Sequence, residues 1–146
     1  MLEPRSPEPV TPPIPESPLE AVLLPQRSRL PDTRRSVTHK FNINGYEGYV
    51  TVGLYHDGRP GELFIKMAKQ GSTLSGFADA VGILTSLSLQ YGVPLDVLAT
   101  KLQHMRFEPS GWTPNKQIPH AHSIVDYIFR WMTVTFADSD SSPLED

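Results

Sequence analysis

The sequence contains no cysteine. That absence excludes disulfides, thiolate metal sites, thiyl radicals and dithiol redox relays from this chain. Long hydrophobic runs are missing as well. Ala21 to Leu24 is the one apolar cluster ahead of Leu30, too short for a signal-peptide core or a membrane span, and Glu3, Glu8 and Glu16 are wrong for a basic leader. The expectations are therefore no membrane partner and a cytoplasmic location. Clustered positive charge is scarce: the net charge is −3, and the basic and acidic side chains between Ser36 and Ala137 nearly balance. A near-neutral body argues against direct nucleic-acid binding, which rests on Lys and Arg neutralising phosphates. Arg27, Arg29, Arg34 and Arg35 form the one basic cluster; Asp32 interrupts it, and it reads as a solvated linker.

Catalytic constellations are absent too. The five histidines form no metal-ligand pattern: His120 and His122 are two apart, which does not put them on one helical face, and no cysteine or paired carboxylate completes a zinc set. They read as loop or capping residues. No Gly-x-Ser-x-Gly elbow occurs, so no acyl-transfer nucleophile is expected. Neither a catalytic, a cofactor-binding nor a metal-binding residue is assigned.

What is present suits one small domain. Of 146 residues, 15 are proline, and most of those precede Ser36. Residues 1–30 are expected to form a Pro-rich disordered leader, 31–137 an α+β domain, and 138–146 an acidic disordered tail. From Val37 the pattern alternates strictly, with Val37, His39, Phe41 and Ile43 on one face of a strand. On that covered face His39 reads as a hydrogen-bonded core histidine. Asn44-Gly45 then supplies a two-residue hairpin turn, because both central residues of a type I′ turn need positive φ. That turn pairs Ile43 with Tyr46, Phe41 with Gly48, His39 with Val50 and Val37 with Val52, gathering the apolar sets on one side. A second turn at Asp57-Gly58-Arg59-Pro60 leads to a strand over Glu62 to Ala68, with Leu54 expected opposite Leu63.

Helices should cover this meander. Ser72 or Thr73 can cap a helix reaching about Tyr91, whose Leu74, Phe77, Ala78, Val81, Leu84 and Ser88 follow helical spacing. Gly76 and Gly82 each cost about 1 kcal/mol inside a helix relative to Ala, so close packing should compensate. Pro94 opens a second helix carrying Leu95, Leu98 and Leu102. Residues 106–119 read as a long loop. A last helix spans about Ala121 to Phe136, with Ile124, Ile128, Trp131, Met132 and Thr135 on one face. The fold class is α+β: a three-stranded antiparallel meander covered on one face by about three helices.

Two segments are candidate sites. Lys69, Gly71, Ser72 and Thr73 stand where a strand gives way to a helix start, and exposed N–H groups there suit an anion. Gly71 and Gly76 have phosphate-loop spacing, yet Phe77 occupies the position of the required lysine, so a nucleotide-hydrolysing loop is rejected. The loop with Arg106, Phe107, Glu108 and Trp112 combines an Arg–Glu pair, two aromatics and rigid turns. It serves either as a partner-binding surface or to return its aromatics to the core.

The strings THKFNINGYEGYVTVGLYHDGRPGELFIKMAKQGST, SLQYGVPLDVL, RFEPSGWT and SIVDYIFRWM resemble the segment following the catalytic barrel in cobalamin-dependent, class II ribonucleotide reductases, the TSCPD domain. The resemblance spans roughly Arg29 to Phe136. It implies the pathway that reduces ribonucleotides, as the diphosphates, to deoxyribonucleotides for DNA synthesis. Adenosylcobalamin and a thiyl radical serve the parent enzymes; this chain has neither the barrel nor the cysteine-rich tail of the family. The expectation is an accessory domain or detached subunit, with no cofactor of its own, partnered by a reductase catalytic chain. An initial Met and a leader unlike barrel sequence suggest a separate gene product or a cleaved reading frame. The alternative is a free-standing module that binds a nucleotide or other anion.

Overall fold

The computed structural model describes residues 25–68 and 71–140. Its first half is the expected meander: β1 (Ser36–Ile43), β2 (Tyr46–Leu54) and β3 (Pro60–Met67), paired antiparallel in that order. Asn44 and Gly45 take φ of 50° and 89°, the left-handed pair a type I′ turn needs, and the Asn42 carboxamide accepts the Gly45 N–H at 2.8 Å. The β1–β2 register is the one the turn dictates, Ile43 opposite Tyr46 and His39 opposite Val50.

The second pairing differs from expectation. Leu63 lies opposite Val52 rather than Leu54, and Leu54 faces Pro60, with an irregularity at Gly53/Leu54. The cause is a tighter turn. Tyr55 N–H donates to Arg59 O, Gly58 N–H to Tyr55 O, and the Arg59 amide and guanidinium both reach the Asp57 carboxylate, so the strand starts at Pro60. A slip of two residues preserves side-chain parity, so Leu63, Ile65 and Met67 are still buried with Phe41, Ile43, Val50 and Val52.

Three helices follow, α1 (Ser72–Gln90), α2 (Leu95–Leu102) and α3 (Ile124–Asp140). α3 is the centre of the domain. Ile124, Val125, Tyr127, Ile128, Phe129, Trp131, Met132 and Phe136 are all buried, so its sequence is apolar nearly all round rather than along one stripe. Thr135, expected on the inner face, is exposed. α3 starts three residues later than expected because Ala121 belongs to a short strand: β4 (Gly111–Trp112) and β5 (His120–Ala121) pair antiparallel inside the segment expected to be loop. His39 stacks on Trp131 with ring centroids 4.8 Å apart, and its Nε2 lies 2.8 Å from the Tyr127 hydroxyl. Partial burial pushes this half-exposed imidazole below its usual 6.5.

α1 closes the free edge of β3. Leu63 N–H donates to Ser86 Oγ at 2.8 Å, and Ser86 in turn donates to Gly82 O at 2.7 Å. At Leu63 the outward backbone amide of this edge is thereby satisfied by a helix side chain. Gly82 explains one of the two helical glycines: a Cβ there would sit 2.8 Å from the backbone oxygen of Leu63. Gly76 has nothing within 4 Å and no such reason. Gly82→Ala is therefore expected to lower stability by about 1–3 kcal/mol despite alanine's better helix propensity. Gly76→Ala should instead raise it by up to about 1 kcal/mol. Urea titration of both variants checks the pair, and a gain at position 82 would refute the close-approach argument.

Most of the leader, residues 1–24, and residues 141–146 of the tail lie outside the described residues. Residues 25–35 are tied to the domain by hydrogen bonds. Ser28 N–H donates to Gln90 O at 2.8 Å, Arg27 Nε to Gln90 Oε1 at 2.8 Å, and the Arg34 guanidinium grips both oxygens of buried Glu62. Two of the four arginines read as a solvated linker thus have fixed partners.

Candidate functional site

α1 carries two different faces. Its small residues Gly82 and Ser86 meet β3 at Leu63, because only small side chains allow that approach. The larger stripe expected to enter the core does so only in part. Leu74 and Val81 pack against the core, whereas Phe77 and Leu84 remain 68% and 65% exposed. This corrects the assignment of those two to the buried face: helical spacing identifies an apolar stripe but not which of two stripes meets the sheet.

The exposed stripe forms one wall of a groove of about 800 Å³. Leu98 and Leu102 of α2, Met105, Phe107, Glu108, Pro109 and Val125 of α3 complete its lining. Glu108 is the one charged group in the lining, with Thr73, Thr85 and Ser88 as further polar residues. Such a surface offers no acid–base pair and no cation for phosphate. It is suited to burying apolar groups of a partner.

An ionic clamp holds the segment that carries Met105 and Phe107. Asp126 is fully buried and accepts the backbone N–H of His104 at 2.6 Å and of His122 at 2.9 Å, with Arg130 Nη1 at 3.4 Å. Ser123 caps α3 by accepting the Asp126 N–H at 3.0 Å and donates its hydroxyl to Met105 O. Burial by itself would raise the Asp126 pKa, but the two amide hydrogen bonds and Arg130 more than offset it, leaving the carboxyl below 3.8. The clamp fixes residues 104–107 against α3 and so places Met105 and Phe107 at the groove. His104, His120 and His122 lie ring beside ring, yet no group of three or more His, Cys, Asp or Glu among the described residues could hold a metal ion.

The two segments singled out in the sequence are not brought together as units. Gly71 is the N-cap of α1 through its backbone alone, correcting the expectation that Ser72 or Thr73 caps it; both are exposed in the first turn, and Lys69 lies outside the described residues. Of the loop residues, Phe107 and Glu108 line the groove. Arg106 is exposed and forms no ion pair with Glu108 among the described residues, and Trp112, 72% exposed, packs edge-on against His120 away from the groove lining.

The family described as the TSCPD domain matches residues 23–136. The chain belongs to that family. This TSCPD domain is 58% identical over 123 residues to a vitamin B12-dependent ribonucleotide reductase of Rhodopirellula baltica, which covers 84% of this chain and 12% of that protein. Identity to the vitamin B12-dependent ribonucleotide reductase of Streptomyces avermitilis is 50% over 112 residues, 77% of this chain and 12% of that one. For the protein of that name from Bradyrhizobium diazoefficiens it is 41% over 116 residues, 79% and 9%. The chain thus spans a small share of the relatives it matches. No solved structure matches it.

Sequence reasoning missed the groove residues of the TSCPD domain outside the loop, above all Leu98, Leu102 and Met105. A signal existed: α1 offers more apolar side chains than one sheet edge can bury, and the small stripe Ala78-Gly82-Ser86 marks the side of closest approach. No described helix is long and apolar enough to cross a membrane.

Proposed function

We propose that this TSCPD domain is an accessory part of a vitamin B12-dependent ribonucleotide reductase, docking on the catalytic portion through the α1–α2 groove and supporting deoxyribonucleotide synthesis in the cytoplasm without turnover of its own. The observation that carries this reading is the exposure of Phe77 and Leu84 on an apolar groove of about 800 Å³, in a domain that forms 12% of a larger reductase in its relatives. Apolar surface of this kind is costly to leave in water and marks interaction sites.

The residues present do not fit the B12 group. The groove contains no histidine to meet cobalt and few polar groups to meet amide side chains, and the clustered histidines lie outside it. The cofactor belongs, on this proposal, to the catalytic portion. With no cysteine in the chain, the radical and its electrons must come from that portion as well.

The anion-binding alternative at Gly71, Ser72 and Thr73 rests on a helix N-terminus alone, and no basic group in the groove adds to it. Reconstitution distinguishes the readings: a reductase lacking this segment, supplied with the purified chain, should recover assembly or rate. Unchanged rate, stability and subunit composition would overturn the proposal, as would deoxynucleotide formation by the chain alone.

A further inference from the structure

β1 is an edge strand, since the sheet order is β1-β2-β3. Hydrogen bonding alternates along an antiparallel pair, and Arg35 O accepts the Leu54 N–H at 2.9 Å, so Val37, His39 and Phe41 turn their backbone groups to β2. Ser36, Thr38, Lys40 and Asn42 turn theirs outward. Among the described residues no donor or acceptor meets those outward groups, which line about 20 Å of open edge. The open stretch has a fixed end, because the next outward amide, Asn44 N–H, donates to Trp112 O at 2.9 Å. Trp112 therefore stands where the open edge stops, largely exposed and outside the groove lining.

We propose that this edge accepts an extended, acidic segment of the reductase's catalytic portion as a fourth strand, with Trp112 as an aromatic anchor at its end. The inference rests on the reductase reading above and adds a contact distinct from the α1–α2 groove. Charge selects the occupant. Residues 35–43 include Arg35 and Lys40 but no Asp or Glu, so an acidic strand is attracted, whereas a second copy of β1 would bring like charges together. Lys40 has Glu47 at 3.8 Å, but these side chains are 55% and 47% exposed, and so wet a pair leaves the edge basic. Burial sets the pattern of the incoming strand. Val37 and His39, on the covered face, are half-buried, unlike Phe41 and Ile43 farther along β1. The added strand therefore alternates, apolar beside Val37 and His39 and acidic beside Lys40.

Amide exchange reads this alternation residue by residue. Binding of the full chain to a reductase lacking this segment should slow exchange at Thr38, Lys40 and Asn42 by at least about tenfold, with a smaller change at Val37, His39 and Phe41, whose amides already meet β2. Thr38→Pro removes an outward N–H without breaking a β1–β2 bond, and Lys40→Glu reverses the charge of the edge. Each should weaken binding by at least about tenfold at an unchanged unfolding midpoint, and Lys40→Glu carries the test should the proline variant unfold. If the parent chain binds and Phe77→Asp with Leu84→Asp weakens it, while the two edge variants and the exchange at β1 are unaltered, the edge proposal is overturned and the reductase reading stands. If the parent chain does not bind, both fall together. Slowed exchange that appears with rising concentration of the chain alone would assign the edge to a second copy and overturn the proposal.

Discussion

A TSCPD chain carrying Phe77→Asp and Leu84→Asp is expected to bind its reductase partner at least about 100-fold more weakly while keeping its unfolding midpoint. Both side chains are mostly exposed, so the isolated domain loses little by the change. Buried against a partner, each aromatic or aliphatic anchor of this size is worth about 2 kcal/mol or more, and a carboxylate adds the cost of desolvating a charge. Two such losses exceed the roughly 2.7 kcal/mol that corresponds to 100-fold. Val97→Asp is the control, an exposed apolar residue of α2 outside the groove lining. Calorimetric titration against a reductase lacking this segment measures the affinities, and thermal melts measure the fold. Equal affinities for the double variant and the parent chain would remove the groove from the interface.

Asp126→Ala is expected to cost about 3–5 kcal/mol of stability, enough to lower the melting temperature of a domain this small by more than about 12 °C. Alanine would leave two backbone N–H groups and the Arg130 guanidinium facing a gap in the buried interior. Asp126→Asn keeps the shape and one acceptor oxygen, and should cost about 1–3 kcal/mol. The pH dependence follows from the depressed carboxyl. With the folded pKa below 3.8 and an unfolded value near 3.9, the unfolded chain binds more protons in this region, so stability rises with pH. The contribution is complete about one pH unit above the unfolded value and is lost as pH falls through the lower folded value. Melts followed by circular dichroism from neutral pH to about 2 should show the parent chain losing more in that window than Asp126→Asn. A parallel decline of the two would show that another carboxylate governs acid unfolding.

The groove and the clamp also mark where the sequence stopped being informative. The hairpin was legible because two independent signals agreed: Asn44-Gly45 fixes a two-residue turn, and the alternation from Val37 to Val52 is compatible with one parity alone. Beyond that turn the reading slipped by two residues, because the hydrogen bonds that shorten the Asp57–Arg59 turn are made in space and leave no periodic trace. The hydrogen bond of His39 on the covered face was foreseen from parity, although the ring is half-buried rather than in the core. Of the candidate sites, Phe107 and Glu108 reached the groove, while Arg106, Trp112, Ser72 and Thr73 did not combine into a shared site with them beyond Thr73 at its edge. Asp126 went unnoticed, because a carboxylate on an apolar helix looks like any exposed charge until the two loops that donate to it are seen to converge.

By itself the sequence determined the local chemistry: the turn, the strand parity, the helices, the lack of any thiol, and the family through its long irregular strings. Those depend on neighbours along the chain, where spacing and residue type suffice. The tertiary structure alone decided which face of α1 meets the sheet, and hence that Phe77 and Leu84 are left in water. The physical reason is contact distance: Gly82 and Ser86 let the helix backbone reach β3, and that close approach, made between residues some twenty positions apart, outweighs the burial of larger side chains one turn around.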